Sequence, residues 1–207
     1  VQVIVGPSLD RNTVTDGSGS RAVSVFSRAG EGAGSGSASE WVLHAEGVLS
    51  AAAAAAGSVD LSAWPPPGAT PVDVADAYAV LAGRGYEYGP AFQGLRAMWR
   101  RGEEIFAEVA VPEAAGPVAG FGVHPALLDS ALHAVALAAP EGQTALPFSW
   151  QNVTLHAAGA AAARVRIAPS GPNAMSIELA DGLGLPVLSV ASMVARPVST
   201  EALHAAM

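Results

Sequence analysis

The segment HPALLDSALHAVALAA, residues 124–139, constrains the fold more than any other stretch of the chain. Pro125 suits a first helical turn, and the run that follows is apolar nearly all round. Asp129 is the only Asp, Glu, Lys or Arg between Glu113 and Glu141. A helix of this kind must be enclosed, and the segments around it read as strands. Before it comes GLRAMWRRGEEIFAEVAVP, two strands with a hairpin at Arg101 and Gly102. After it come LPFSWQNVTLH, AARVRIAP and MSIELADGLGLPVLSVASMVARPV, four strands with turns near Gly171 and Gly182. A curved antiparallel sheet wrapped around a central helix fits this order, which makes the chain α+β.

Upstream, VQVIV, RAVSVFSRA and EWVLHAEGVLSA are three strand-like segments without a helix between them. The Ala run that follows, with Gly57 and Pro65 to Pro67, reads as a linker. TPVDVADAYAVLAGRG reads as a helix with Thr70 as cap, Pro71 in the first turn, and Val74, Ala77, Tyr78 and Leu81 on one face. The organisation expected is therefore three strands over 1–50, a linker over 51–70, a helix-in-sheet domain over 71–200 and a tail over 201–207.

Charge and composition exclude several functions. The formal charge is −8, which opposes nucleic acid and anionic membranes as partners. The absence of Cys excludes disulfides, thiolate metal sites and cysteine nucleophiles. No window has the length and apolarity of a membrane span, and VQVIVGPSLD lacks a signal peptide's basic start. A cytoplasmic protein is the expectation. No phosphate-binding glycine loop and no Gly-x-Ser-x-Gly elbow occurs. No two histidines have metal-ligand spacing, so no metal is expected.

Three features carry chemistry. Asp129 and His133 are four residues apart and share a helix face. A lone buried carboxylate is costly unless it is paired, and a carboxylic acid in an apolar cleft can act as a general acid. The same spacing also fits a solvated polar face. GYEYGPAFQGL, residues 85–95, is a rigid aromatic turn that suits either a substrate tunnel or the closure of a core. Arg96, Arg100 and Arg101 form a basic cluster in an acidic chain, able to meet a phosphate or an acidic partner, or simply to be solvated.

GYEYGPAFQGL, HPALLDSALH and LPFSW, in this order and at this spacing, together with SVFSRAG, WVLHAEGVLS and VASMVARPV, resemble the dehydratase domain of modular type I polyketide synthases. The resemblance covers nearly the whole chain. It implies a double hotdog, with the second hotdog complete and the first only partly present. It implies dehydration of a 3-hydroxyacyl thioester, carried on the phosphopantetheine arm of an acyl carrier protein, to the 2,3-unsaturated thioester. No cofactor is implied beyond that arm, and the partners implied are the carrier protein, other synthase domains and a second copy in a homodimer.

By the same resemblance Asp129 is the catalytic acid, supported by His133, Tyr88, Gly89, Pro90 and His124. Phe92, Leu95, Leu146, Pro147 and Phe148 line the tunnel, and Arg96 and Arg100 dock the carrier. The family's base is a His in a His-x-x-x-Gly-x-x-x-x-Pro motif. Four positions after His44, His124, His133 and His156 stand Val48, Leu128, Leu137 and Ala160, and His204 is too near the end. The motif is absent, so a dehydratase domain lacking its N-terminal part, inactive alone, is the expectation. The alternatives are a non-catalytic scaffold or carrier-binding module, and a double-bond isomerase or pyran-forming cyclase on the same fold.

Overall fold

The computed structural model describes residues 1–8, 19–28, 40–51, 60–140 and 144–198. The chain forms two compact units, Val1–Ala55 and Ala56–Met207. In the first, β1 (Gln2–Ser8), β2 (Arg21–Ser27) and β3 (Val42–Leu49) make an antiparallel sheet in that order. Val3 stands opposite Val25, and Val25 opposite Ala45, so apolar side chains share a face as period-two patterning requires.

The second unit contains β4 (Thr70–Val72), α1 (Ala77–Gly83), β5 (Leu95–Arg101), β6 (Glu104–Ala110), α2 (Pro125–Ala138), β7 (Ala145–Leu155), β8 (Ala162–Gly171), β9 (Ala174–Ala180) and β10 (Pro186–Pro197). Its seven strands run antiparallel in the order β4-β5-β6-β8-β9-β10-β7. α2 lies against β5, β6 and β8. Leu127, Ala131 and Ala134 of α2 are buried in a cluster with Met98, Val109, Val165, Ile167, Ile177 and Leu179. Each of the larger aliphatic side chains in it contributes about 1.5–3 kcal/mol by leaving water. This is the helix-in-sheet arrangement that the apolar helix demands.

Both ends of α2 are fixed. At its start Pro125 has no N–H to lose, and the His124 ring Nδ1 accepts the Ala126 N–H at 3.2 Å. At its end Arg84 Nη1 donates to the carbonyls of Ala136, Leu137 and Ala139 at 2.6, 3.2 and 3.1 Å. These are carbonyls that a helix C-terminus leaves without partners.

Two sequence expectations need correction. Thr70–Val72 is not the start of a helix; it is an edge strand paired with Met98–Arg100. Pro71 is tolerated there because an edge strand leaves one row of N–H groups unused. Asp73 closes a turn by accepting the Ala75 N–H, and the helix begins only at Ala77. The β5–β6 hairpin turns on Gly102 and Glu103, one residue later than expected, because Arg101 pairs with Glu104 and Gly102 takes φ +60°.

Within the expected 51–70 linker, Leu61, Trp64 and Ala69 pack against Phe106, Trp99 and Ala180 of the sheet. Leu61 is buried with Phe106 and Ala180, and Trp64 meets Trp99 and Phe106 edge-on. The expected tail at 201–207, with His204, lies outside the described residues. Among the described residues no helix is long and apolar enough to cross a membrane.

Candidate active site

Helical geometry puts Asp129 and His133 one turn apart on α2, and His133 Nε2 lies 3.1 Å from Asp129 Oδ2. The His133 side chain is 0% exposed, while that of Asp129 is 34% exposed. Three tyrosines surround the pair. The Tyr78 hydroxyl, from α1, accepts the Leu95 N–H at 2.8 Å and lies 3.2 Å from His133 Nδ1. The Tyr88 ring lies over His133 at 3.9 Å between centroids. Tyr86 runs parallel to Tyr88 at 6.2 Å and clamps the start of β7, its hydroxyl donating to Ala145 O and accepting from Ala145 N.

Burial pushes the Tyr88 phenol well above the usual tyrosine range, and Asp129, Tyr86 and Tyr78 add to the shift. Burial also raises Tyr78, against the opposing effects of the Leu95 N–H and Arg96. Both phenols are therefore neutral at physiological pH and able to donate.

The turn that carries Tyr88 is braced from within. Gly89 precedes a single 3-10 turn over Pro90–Phe92, and the Gln93 amide donates to Tyr88 O at 2.8 Å. Gly94 then passes so close to α2 that a Cβ there would collide with Ser130 Oγ and Ala110 O. Ser130 Oγ in turn donates to Ala126 O and Phe92 O.

Asp129 and Tyr88 open onto a cavity of about 700 Å³, inside the size range of small-molecule sites. One wall is the α2 face of Asp129, Leu132, Val135, Ala136 and Ala139. The opposite wall includes Leu146 and Pro147 of β7, Ile167 of β8, Met175 of β9 and Met193 of β10. Tyr86, Glu103, Asn173 and Arg196 supply its other polar side chains.

Of the residues expected to line a tunnel, Leu146 and Pro147 stand in the wall of this cavity. Phe92, Leu95 and Phe148 are not part of that wall: Leu95 is buried in the core, Phe92 is exposed, and Phe148 is exposed beneath the Arg196 guanidinium. His124 is buried at the α2 cap, edge-on to Phe121, and is absent from the cavity wall. The expected basic cluster splits. Arg101 is held by Glu104 and Pro67 O, whereas Arg96 and Arg100 are exposed and have no hydrogen-bond partner among the described residues. Tyr78, Met175, Met193 and the small side chains of Ala136 and Ala139 were not expected in the site. Tyr78 lies 55 positions from His133, and no spacing rule links the two. Among the described residues no group of three or more His, Cys, Asp or Glu could hold a metal.

Residues 56–205 match the family profile described as the polyketide synthase dehydratase N-terminal domain. The chain belongs to the polyketide synthase dehydratase family. Its fold is accordingly a double hotdog, with the helix-in-sheet unit as one hotdog and the three-stranded sheet as part of another. The chain is 62% identical over 207 residues to mycoketide-CoA synthase of Mycobacterium tuberculosis, of which it spans 5%. It superposes on the dehydratase domain from the terminal module of the rifamycin synthase with TM-score 0.78 and 43% identity, over 94% of this chain and 67% of that one. Dehydratase structures from the curacin synthase superpose with TM-score 0.73 and 25% identity, over 89% of this chain and 64% of theirs. Two of those are described as inactive mutants, one with a His replaced by Phe and one with an Asp replaced by Asn.

Proposed function

We propose that this chain supplies the acid and the acyl-binding cavity of a site that dehydrates 3-hydroxyacyl thioesters, presented on the phosphopantetheine arm of an acyl carrier protein. The observation that carries the reading is a carboxylate, Asp129, set in the wall of an apolar cavity and paired on one oxygen to a buried His133. A base removes the C2 proton, the C2–H electron pair becomes the C2=C3 bond, and the C3–O bond breaks. The Asp129 proton goes to the departing oxygen, so that water leaves rather than hydroxide. The base then holds one proton and Asp129 has lost one; return of that proton through solvent resets the site.

The base comes from outside these residues. Both His133 ring nitrogens are engaged, the His124 Nδ1 caps α2, and no histidine stands in the family's motif. The chain by itself therefore does not turn over. Arg96 and Arg100 are the surface that meets the acidic carrier protein, and the remaining synthase domains are partners by covalent attachment. That a His variant and an Asp variant of the curacin dehydratase are each described as inactive supports a reading in which one His and one Asp are both needed.

The test is to offer the complete dehydratase domain that contains this chain a carrier-bound 3-hydroxyacyl thioester and to follow the acyl mass. Loss of one water, abolished by Asp129→Asn, is the expected result. An unchanged acyl mass in the unsubstituted domain overturns the reading.

A further inference from the structure

Tyr78 belongs to α1 and does not appear in the cavity wall, yet its hydroxyl ends a chain of hydrogen bonds that reaches Asp129. The direction of that chain follows from counting protons. Tyr78 Oη already accepts the Leu95 N–H at 2.8 Å. Its own O–H is therefore the group left to meet His133 Nδ1 at 3.2 Å, and Nδ1 must accept. The ring proton then sits on Nε2, which donates to Asp129 Oδ2 at 3.1 Å. The reverse arrangement would make Tyr78 Oη accept two N–H groups and leave its hydroxyl proton without an acceptor among the described residues. That is unfavourable for a half-buried donor. The ring is fully buried against Tyr88 and Tyr78, and turning it over would put carbon atoms in the places of both nitrogens and lose both contacts.

We propose that Tyr78 is a positioning residue: by donating to His133 Nδ1 it fixes His133 as a donor to Asp129 Oδ2, and so places the acid proton of Asp129 on Oδ1. Oδ1 has no hydrogen-bond partner among the described residues, and Asp129 lines the cavity. The inference rests on the dehydratase reading. Without the Tyr78 hydroxyl, His133 is free to carry its proton on Nδ1 and present a bare Nε2 to Asp129. The acid proton is then held by the histidine instead of being offered to the substrate hydroxyl. The other groups that act on this network are the neutral phenol of Tyr88, whose ring lies over His133, and, acting on Tyr78 from β5, Arg96.

The test uses the complete dehydratase domain with ¹⁵N-labelled histidine, the His133 signals being assigned by their loss in His133→Gln. The unsubstituted ring is expected to show a bare Nδ1 and a protonated Nε2. Tyr78→Phe is expected to shift proton density to Nδ1 and to lower kcat about tenfold, the effect of one hydrogen bond to a reacting group, with KM within about twofold. Tyr88→Phe removes a hydroxyl that contacts neither ring nitrogen, and is expected to leave the ring spectrum unchanged. A proton on Nδ1 in the unsubstituted protein overturns the proposal. So does a Tyr78→Phe domain with an unaltered ring spectrum. If the unsubstituted domain does not dehydrate at all, the functional reading falls, and the ring spectra alone decide whether Tyr78 sets the tautomer.

Discussion

Replacing Arg84 with Met removes the C-terminal clamp on α2 while keeping a long side chain in place. Arg84 Nη1 carries two protons, yet it lies within hydrogen-bond distance of three carbonyls, those of Ala136, Leu137 and Ala139. Its full worth is thus between one and two charge-assisted bonds, each about 1.5–3 kcal/mol, and the interaction with the helix dipole overlaps this value. Solvent at the half-buried Arg84 reduces the figure, leaving about 2–3 kcal/mol. For a unit of this size that corresponds to a Tm lower by about 5–10 °C. Ala136 and Ala139 also line the cavity, so fraying there should raise KM for acyl thioesters before it affects kcat. Thermal and urea unfolding of the complete domain supply the stability, and steady-state kinetics supply KM. Arg84→Lys keeps the charge but not the fork and should fall between the two. An Arg84→Met domain within about 0.5 kcal/mol of the unsubstituted protein would refute the assignment of Arg84 as the clamp.

Arg96→Glu should reduce kcat/KM at least about tenfold for carrier-bound substrate and leave a small soluble thioester nearly unaffected, since surface charge acts on encounter; equal losses on both would remove Arg96 from the docking surface. Gly94→Ala forces a methyl group into Ser130 Oγ and Ala110 O, and should cost about 1–3 kcal/mol in urea unfolding and lower turnover by displacing α2 next to Asp129. Tyr78 and Tyr88 are both raised on folding, so above about pH 10 the unfolded chain releases phenol protons that the folded chain retains. Stability is then fully present below that pH and falls as pH rises, and Tyr88→Phe should flatten the fall in urea midpoints measured from about pH 8 to 11.

The helix-in-sheet fold was legible in the sequence because α2 is a long, nearly continuous apolar run opened by Pro125, flanked by short strand segments with sharp Gly and Pro punctuation. The Asp129–His133 pair was legible because a spacing of four residues on that helix is a contact. The start of α1 was not, because Thr70 and Pro71 satisfy a helix N-terminus and an edge strand equally well. Only the pairing with Met98–Arg100, which is a tertiary fact, decides between them. Residues 60–69 carry linker composition, yet Leu61 and Trp64 find an apolar patch on β6 and β9 that no local pattern announces. Tyr78 was read on one face of a helix with Ala77 and Leu81, the two buried residues of α1. Its hydroxyl could not be placed, because its partners Leu95 and His133 come from elements distant in sequence.

The most direct test of Asp129 as the acid varies the leaving group. Hydroxide needs a proton in order to leave, whereas fluoride is a far weaker base and depends on it much less. The account predicts that Asp129→Asn lowers kcat about 10²–10⁴-fold on a 3-hydroxyacyl thioester and much less on the matching 3-fluoroacyl thioester, with both measured in the complete domain. Equal losses on the two substrates would contradict it, and would assign Asp129 to binding or to the fold of the site rather than to proton delivery.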